Sequence, residues 1–190
     1  MKMSQKDNLP KFKKKTKEEI WRESLATGQK AIIEDVLRII RNDGNITILP
    51  DLIELYAQYK GSDLGNKIFS VISDIKKSEA VSIFMQYIDN KDFSAIAPDL
   101  LSIGWQSRLD FTPYFERLIE LFISSDNDAK AIEIMTVIEN FERDISAERI
   151  EREIQKLKNN IDKLSDFRKT LLVELVHILE DKLSRKEEDY

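Results

Sequence analysis

His177 is the only histidine in the 190-residue chain, and Glu174 precedes it by three positions. Glu-x-x-His on a helix is half of a carboxylate-bridged di-iron site, and the other half needs a second histidine. There is no cysteine, so a zinc ion would have to take nearly all its ligands from carboxylates, against its preference for nitrogen and sulfur. The residue types favour a partly buried structural histidine. Gly61 and Gly65, followed by Asn66-Lys67, have the composition of a phosphate-binding loop. The spacing is wrong, no strand pattern precedes them, and no Ser or Thr follows the lysine, so the segment reads as a helical-hairpin turn. Glu116 and Glu120 stand four apart, as neighbours on a helix do. A general acid–base pair also needs a pocket and shifted pKa values, so such carboxylates read first as a solvated face. The expectation is a non-enzymatic protein with no catalytic, cofactor or metal residues.

The elements that would carry these residues are helical throughout. Five Gly and four Pro are few for a fold with many tight turns, and period-2 alternation is scarce. Spacing predicts ten helices: 16–26, 29–42, 46–59, 64–76, 78–89, 93–105, 112–124, 128–141, 146–164 and 166–183. Leu49, Leu52, Ile53 and Tyr56 share one face of a 3.6-residue helix, as do Leu64, Ile68, Ile72 and Ile75. Val81, Phe84, Met85 and Ile88 form a third stripe, and Phe115, Leu118, Ile119 and Phe122 a fourth. A fifth comprises Ile132, Met135 and Ile138. Polar connectors such as Gly61-Ser62-Asp63 and Asp126-Asn127-Asp128 separate them and cap the helices that follow. Thr112-Pro113 reads as an N-cap and first-position pair. First helices begin near 46, 78, 112 and 146, a period in the low thirties with two helices per unit. One hairpin cannot bury both its faces, so units must stack.

Charge is unevenly spread. Residues 1–17 carry seven Lys against one Asp, and residues 43–142 carry 17 acidic against 8 basic side chains. The acidic middle argues against nucleic acid. The Lys-rich segment 1–15 reads as a flexible tail, 16–184 as a single helical-repeat domain, and 185–190 as a charged tail. No run approaches the ~18 apolar residues of a membrane span, and no apolar segment follows the basic N-terminus, so the expected location is cytoplasmic.

The segment ILPDLIELYAQYKGSDLGNKIFSVISDI, residues 48–75, resembles a HEAT repeat. It has Leu-Pro then Leu52 and Leu55 in a first helix, a polar turn with Asp, and a second helix with spaced Ile. Residues 111–141 fit in the same way through Pro113, Leu118, Leu121 and Asp126. HEAT repeats often pair the turn Asp with an Arg in the second helix; Lys67 and Lys130 stand in that region here. The segment IAPDLLSI at 96–103 echoes ILPDLIEL at 48–55 from the opposite member of its hairpin, which leaves the pairing phase open by one helix. The resemblance implies an all-α, right-handed α-α superhelix of about five hairpins, and by analogy a scaffold that binds another protein. The candidate surface is the polar side of the second helices: Lys67, Ser70 and Asp74, then Asp99 and Ser102, then Lys130, Glu133 and Thr136. Trp105 is either a core plug or an exposed anchor for a partner.

Two other binding readings stand beside this one. An acidic inhibitor or immunity-type protein would cover a basic partner. The segment 146–164 has apolar residues stepping by 4, 3, 4, 3 amid charges, which suits a terminal cap or self-association through 146–183. The enzymatic alternative is a HEAT-like DNA glycosylase, for which Trp105 and Asp110 would be the aromatic and acid. The acidic middle weighs against it.

Overall fold

The computed structural model describes residues 14–188. Within them all regular structure is helical: α1 (Lys17–Leu25), α2 (Lys30–Asp43), α3 (Leu49–Tyr59), α4 (Asp63–Ser73), α5 (Ala80–Asp89), α6 (Ala97–Gln106), α7 (Phe115–Ser124), α8 (Asp128–Glu139), α9 (Ala147–Lys158) and α10 (Asp166–Glu188). The tail expected at 1–15 lies almost wholly outside the described residues. At the other end, α10 runs on to Glu188, past its expected end at 183.

Local chemistry sets the boundaries. Thr16 and Glu19 form a reciprocal capping box at the start of α1. Gly61 turns the chain between α3 and α4 at φ +82°, and Ser62 Oγ accepts the Gly65 N–H at 3.0 Å to open α4. Asn127 does the same for Lys130 N–H at the start of α8. Proline moves three starts. Pro50 and Pro98 each sit in the first turn of an α-helix, so α3 and α6 begin at 49 and 97 rather than 46 and 93. Pro113 instead lies in a 3-10 turn, Thr112–Tyr114, that precedes α7. Thr112 is therefore not the N-cap. Asp110 takes a capping role there, its carboxylate accepting the Thr112 N–H at 3.0 Å, while the buried Thr112 hydroxyl has no partner. The expected helix 146–164 breaks at Asn159-Asn160, and a 3-10 turn at Ile161–Lys163 follows.

Sequence-adjacent helices pack as five pairs: α1 on α2, α3 on α4, α5 on α6, α7 on α8, α9 on α10. This is the pairing with first helices at 49, 80, 115 and 147. First helices also touch first helices (α1–α3, α3–α5, α7–α9), and second helices touch second (α2–α4, α6–α8, α8–α10). One continuous apolar core runs between the two layers, with Phe84, Phe115, Phe122 and Ile68 fully buried. Four of the predicted stripes are buried as expected. The fifth is rotated: Ala131, Ile134, Val137 and Ile138 of α8 face the core, while Ile132 stays 39% exposed.

Polar bridges join neighbouring pairs at a near-constant step. Glu34–Lys67, Arg41–Asp74, Glu54–Tyr87 and Glu116–Arg149 each link residues 33 apart. On the first-helix side an ionic network ties α5, α7 and α9 together. It runs Asp89–Arg117–Glu120–Lys156–Glu153–Arg152–Glu116–Arg149. Glu153 is buried within it, and one of its oxygens has only Lys156 nearby, at 3.4 Å. The α9 seam, Ile150, Ile154 and Leu157, is filled by this chain's own core.

Candidate protein-binding face

Three of the candidate residues stitch α2 to α4. The Lys67 ammonium lies 2.9 Å from Glu34, and this contact holds the Glu34 carboxyl below its usual range. Asp74 pairs with Arg41 at 2.6 Å, and the same guanidinium donates to Ser70 Oγ. Lys67 and Ser70, with Glu34 and Arg41, line a groove of about 620 Å³ floored by Leu37 and Val71.

The remaining candidates divide between open surface and interior. Asp99 is half-buried at the junction of α3 and α6, where it accepts from Tyr56 Oη at 2.8 Å and pairs with Lys60 at 2.6 Å. Burial first, and that hydrogen bond second, push the Tyr56 phenol upward. Ser102 accepts from Gln106 Nε2 at 3.4 Å, and Thr136 Oγ1 donates to the Ile132 carbonyl at 3.1 Å. Lys130 is withdrawn from the surface at 9% exposure. Its ammonium donates at 2.7 Å to the Ile88 carbonyl at the end of α5, and burial lowers its pKa.

Trp105 is neither a fully buried plug nor fully exposed. Its ring is half-buried against the core, and its indole N–H donates to Glu133 Oε2 at 2.9 Å, tying α6 to α8. It also walls a cleft of about 580 Å³ with Arg108, Asp110, Asn140, Phe141 and Arg143. Arg108 closes α6 in the left-handed region at φ +54°, which costs a non-glycine residue roughly 1–2 kcal/mol. Asp110 shares this cleft with Trp105, but its carboxylate is engaged by Arg143 at 3.0 Å as well as by the Thr112 N–H.

Two residues of this layer were not legible as surface. Ile132 on α8 and Phe167 on α10 are 39% and 50% exposed. Their helical positions set them on the solvent side of the α8–α10 seam. Asp128 and Glu139 mark the α10 side of α8, through Arg168 and Lys182, and Ile132 falls beside them. Phe167 lies next to Arg168 in the first turn of α10, close to the same seam. Acidic residues surround them: Asp126, Asp128, Glu133, Glu139 and Asp166. Of the nearby cations, Lys169 pairs with Asp166 at 3.6 Å, while Arg168 and Lys182 point elsewhere. Arg168, 3% exposed, donates to the Phe122 and Ser125 carbonyls at the end of α7 and stacks over the Phe122 ring. Lys182 donates to the Glu139 carbonyl at 2.9 Å. Helix C-termini attract cations, and here that attraction removes positive charge from the open face.

Glu34, Glu116 and Glu120 are all held below the usual carboxylate range by cationic partners, whereas a general acid needs its pKa raised. His177 is exposed rather than partly buried, with Nδ1 3.9 Å from Asp181, on the rim of a groove between α9 and α10. Among the described residues no three His, Cys, Asp or Glu side chains gather as a metal site, and no helix is long and apolar enough to cross a membrane. No protein-family model matches the chain, and no curated protein or solved structure matches it either.

Proposed function

We propose that this chain is a non-enzymatic scaffold that binds another protein. In this reading it is a HEAT-like α-solenoid, five hairpins stacked in a right-handed superhelix. The helix pairing and the bridges at a step of 33 support the stacked arrangement. The observation that carries the binding reading is the exposed pair Ile132 and Phe167 on the second-helix layer, with acidic residues around it and the cations Lys130 and Arg168 turned inward. An apolar centre inside a charged rim is the anatomy of a binding hot spot. The negative rim fits a basic partner that inserts an apolar anchor.

A photo-crosslinking residue placed at Thr136, on this face, and at Gln155, on the outer side of α9, tests the assignment. Capture of one protein from Thr136 and none from Gln155 is expected. Equal capture from both, or from Gln155 alone, overturns it. The inhibitor reading rests on the same acidic surface. It is distinguished by whether the captured protein loses its own activity when bound.

A further inference from the structure

Among the described residues, positive φ angles fall on Gly28, Gly44, Gly61 and one residue that is not glycine, Arg108. Arg108 follows the last turn of α6, where the Ser107 and Leu109 N–H groups donate back to the carbonyls of Ile103 and Gly104. Glycine takes this left-handed position after a helix without strain, and a side chain does not. Backbone strain of this kind gathers at sites that bind ligands. Arg108 borders the cleft of about 580 Å³ at the ends of α6 and α8, a volume in the range of small-molecule sites. Trp105 and Phe141 give that cleft aromatic walls.

The charged side chains lining the cleft are Arg108, Asp110, Glu142 and Arg143. Arg143 and Asp110 satisfy each other at 3.0 Å, and Asp110 also accepts the Thr112 N–H. Glu133, beside the cleft, is occupied by the Trp105 N–H. Arg108 and Glu142 are left, both exposed and neither with a side-chain partner among the described residues. Two amides line the same space. Asn140 commits its NH₂ to the Thr136 carbonyl and Gln106 commits its own to Ser102 Oγ, so each keeps an oxygen with no donor. One open cation and three open acceptors thus border one aromatic-walled cleft, and the two helix C-termini there favour a further positive charge. We propose that this cleft binds a free α-amino acid with an aromatic or large aliphatic side chain. Arg108 takes the carboxylate in the two-bond fork that a guanidinium favours. Glu142, with the two amide oxygens, takes the ammonium, and Trp105 and Phe141 cover the side chain. The site uses neither Ile132 nor Phe167, so it stands apart from the protein-binding reading.

Amide chemical-shift titration of the isotope-labelled chain tests it, with L-phenylalanine and L-leucine as probes. At least one should give saturating shifts centred on residues 105–110 and 137–143. Phenylpropionate lacks the ammonium and phenethylamine lacks the carboxylate. Each should bind more weakly than L-phenylalanine by about tenfold or more, the loss of one charge-assisted contact. Arg108→Gly should weaken amino-acid binding by about tenfold or more, yet melt at or above the wild-type temperature, because glycine relieves the left-handed strain. Arg108→Lys, which keeps the charge and not the fork, should fall between the two in affinity. No saturating shift with either amino acid up to about 10 mM overturns the proposal. So do shifts centred elsewhere, or phenylpropionate or phenethylamine binding as tightly as L-phenylalanine. An Arg108→Gly chain that binds as the wild type does but melts lower also overturns it, since Arg108 would then serve the fold alone.

Discussion

Replacing Gly65 with Ala sets two effects of opposite sign against each other. Gly65 is inside α4, where alanine is favoured over glycine by about 1 kcal/mol on helix propensity alone. An added Cβ, however, would lie 2.1 Å from the Tyr59 carbonyl oxygen and 2.8 Å from its carbon. That is about 1.3 Å short of the 3.4 Å at which ordinary contact begins, and the obstacle is backbone, not a side chain that can swing aside. To relieve it, α3 and α4 must separate. Their interface holds Leu52, Ile53, Leu64, Ile68 and Ile72, all 4% exposed or less. A gap of 0.5–1 Å already forfeits roughly a quarter to a half of each dispersion contact. Overpacking of this kind costs about 1–3 kcal/mol and sometimes more. The steric term should dominate, leaving a net loss of about 2 kcal/mol. For a chain of this size that lowers the melting temperature by roughly 4–8 °C. Circular-dichroism melts of wild type, Gly65→Ala and the exposed neighbour Asn66→Ala measure it. Asn66→Ala should be neutral or slightly stabilising. A Gly65→Ala protein as stable as the wild type would falsify the close approach of α3 and α4 at this corner.

Other outcomes follow from the buried and paired charges. Arg168→Ala removes a buried fork that caps the end of α7 and leaves two carbonyls unsatisfied, so stability should fall by about 3 kcal/mol in a urea titration. Arg168→Lys should recover only part of it, and full recovery would contradict the two-bond geometry. Glu116 and Glu120 have folded pKa values below the ordinary 4.5, through Arg149 and through Arg117 with Lys156. The unfolded chain therefore takes up more protons as pH falls, so their contribution holds above about pH 4.5 and is lost below it. Melting temperature should fall below that pH, and Glu116→Gln with Glu120→Gln should flatten the slope; an unchanged slope contradicts the assignment. Trp105→Phe keeps the ring packing and removes the N–H held by Glu133. It should leave the fold intact and cost roughly 1–2 kcal/mol, read by urea unfolding; a neutral result would mean that this bridge contributes nothing.

The positions of the helices were largely written in the sequence, because amphipathic stripes and polar caps act over a few residues. The stripes on α3, α4, α5 and α7 needed nothing else. On α8 the apolar residues 131, 132, 134, 135, 137 and 138 cover a wide arc, and only the positions of α6 and α10 decide that Ile132 is left outside. Lys130 reads as a surface cation because its burial depends on the carbonyl end of α5, more than 40 residues away in sequence, and the burial of Arg168 depends in the same way on the end of α7. The residues at 67, 70 and 74 were legible as one face, but their bonding to α2 was not. Asp99 was misplaced in character: it looks like second-helix surface, yet Tyr56 and Lys60 draw it into a junction with the first layer. Helix starts moved wherever proline stood a turn inside the apolar pattern.

The most direct measurement is affinity capture with the tagged chain from its native lysate, beside an Ile132→Glu, Phe167→Glu variant that melts as the wild type does, each at low and high salt. The wild type should retain one protein in stoichiometric amount, weakened at high salt, and the variant should lose it. A variant that retains the same protein to the same extent, or a wild type that retains a nucleic acid or small molecule and no protein, would contradict the assignment of this face as a protein-binding surface.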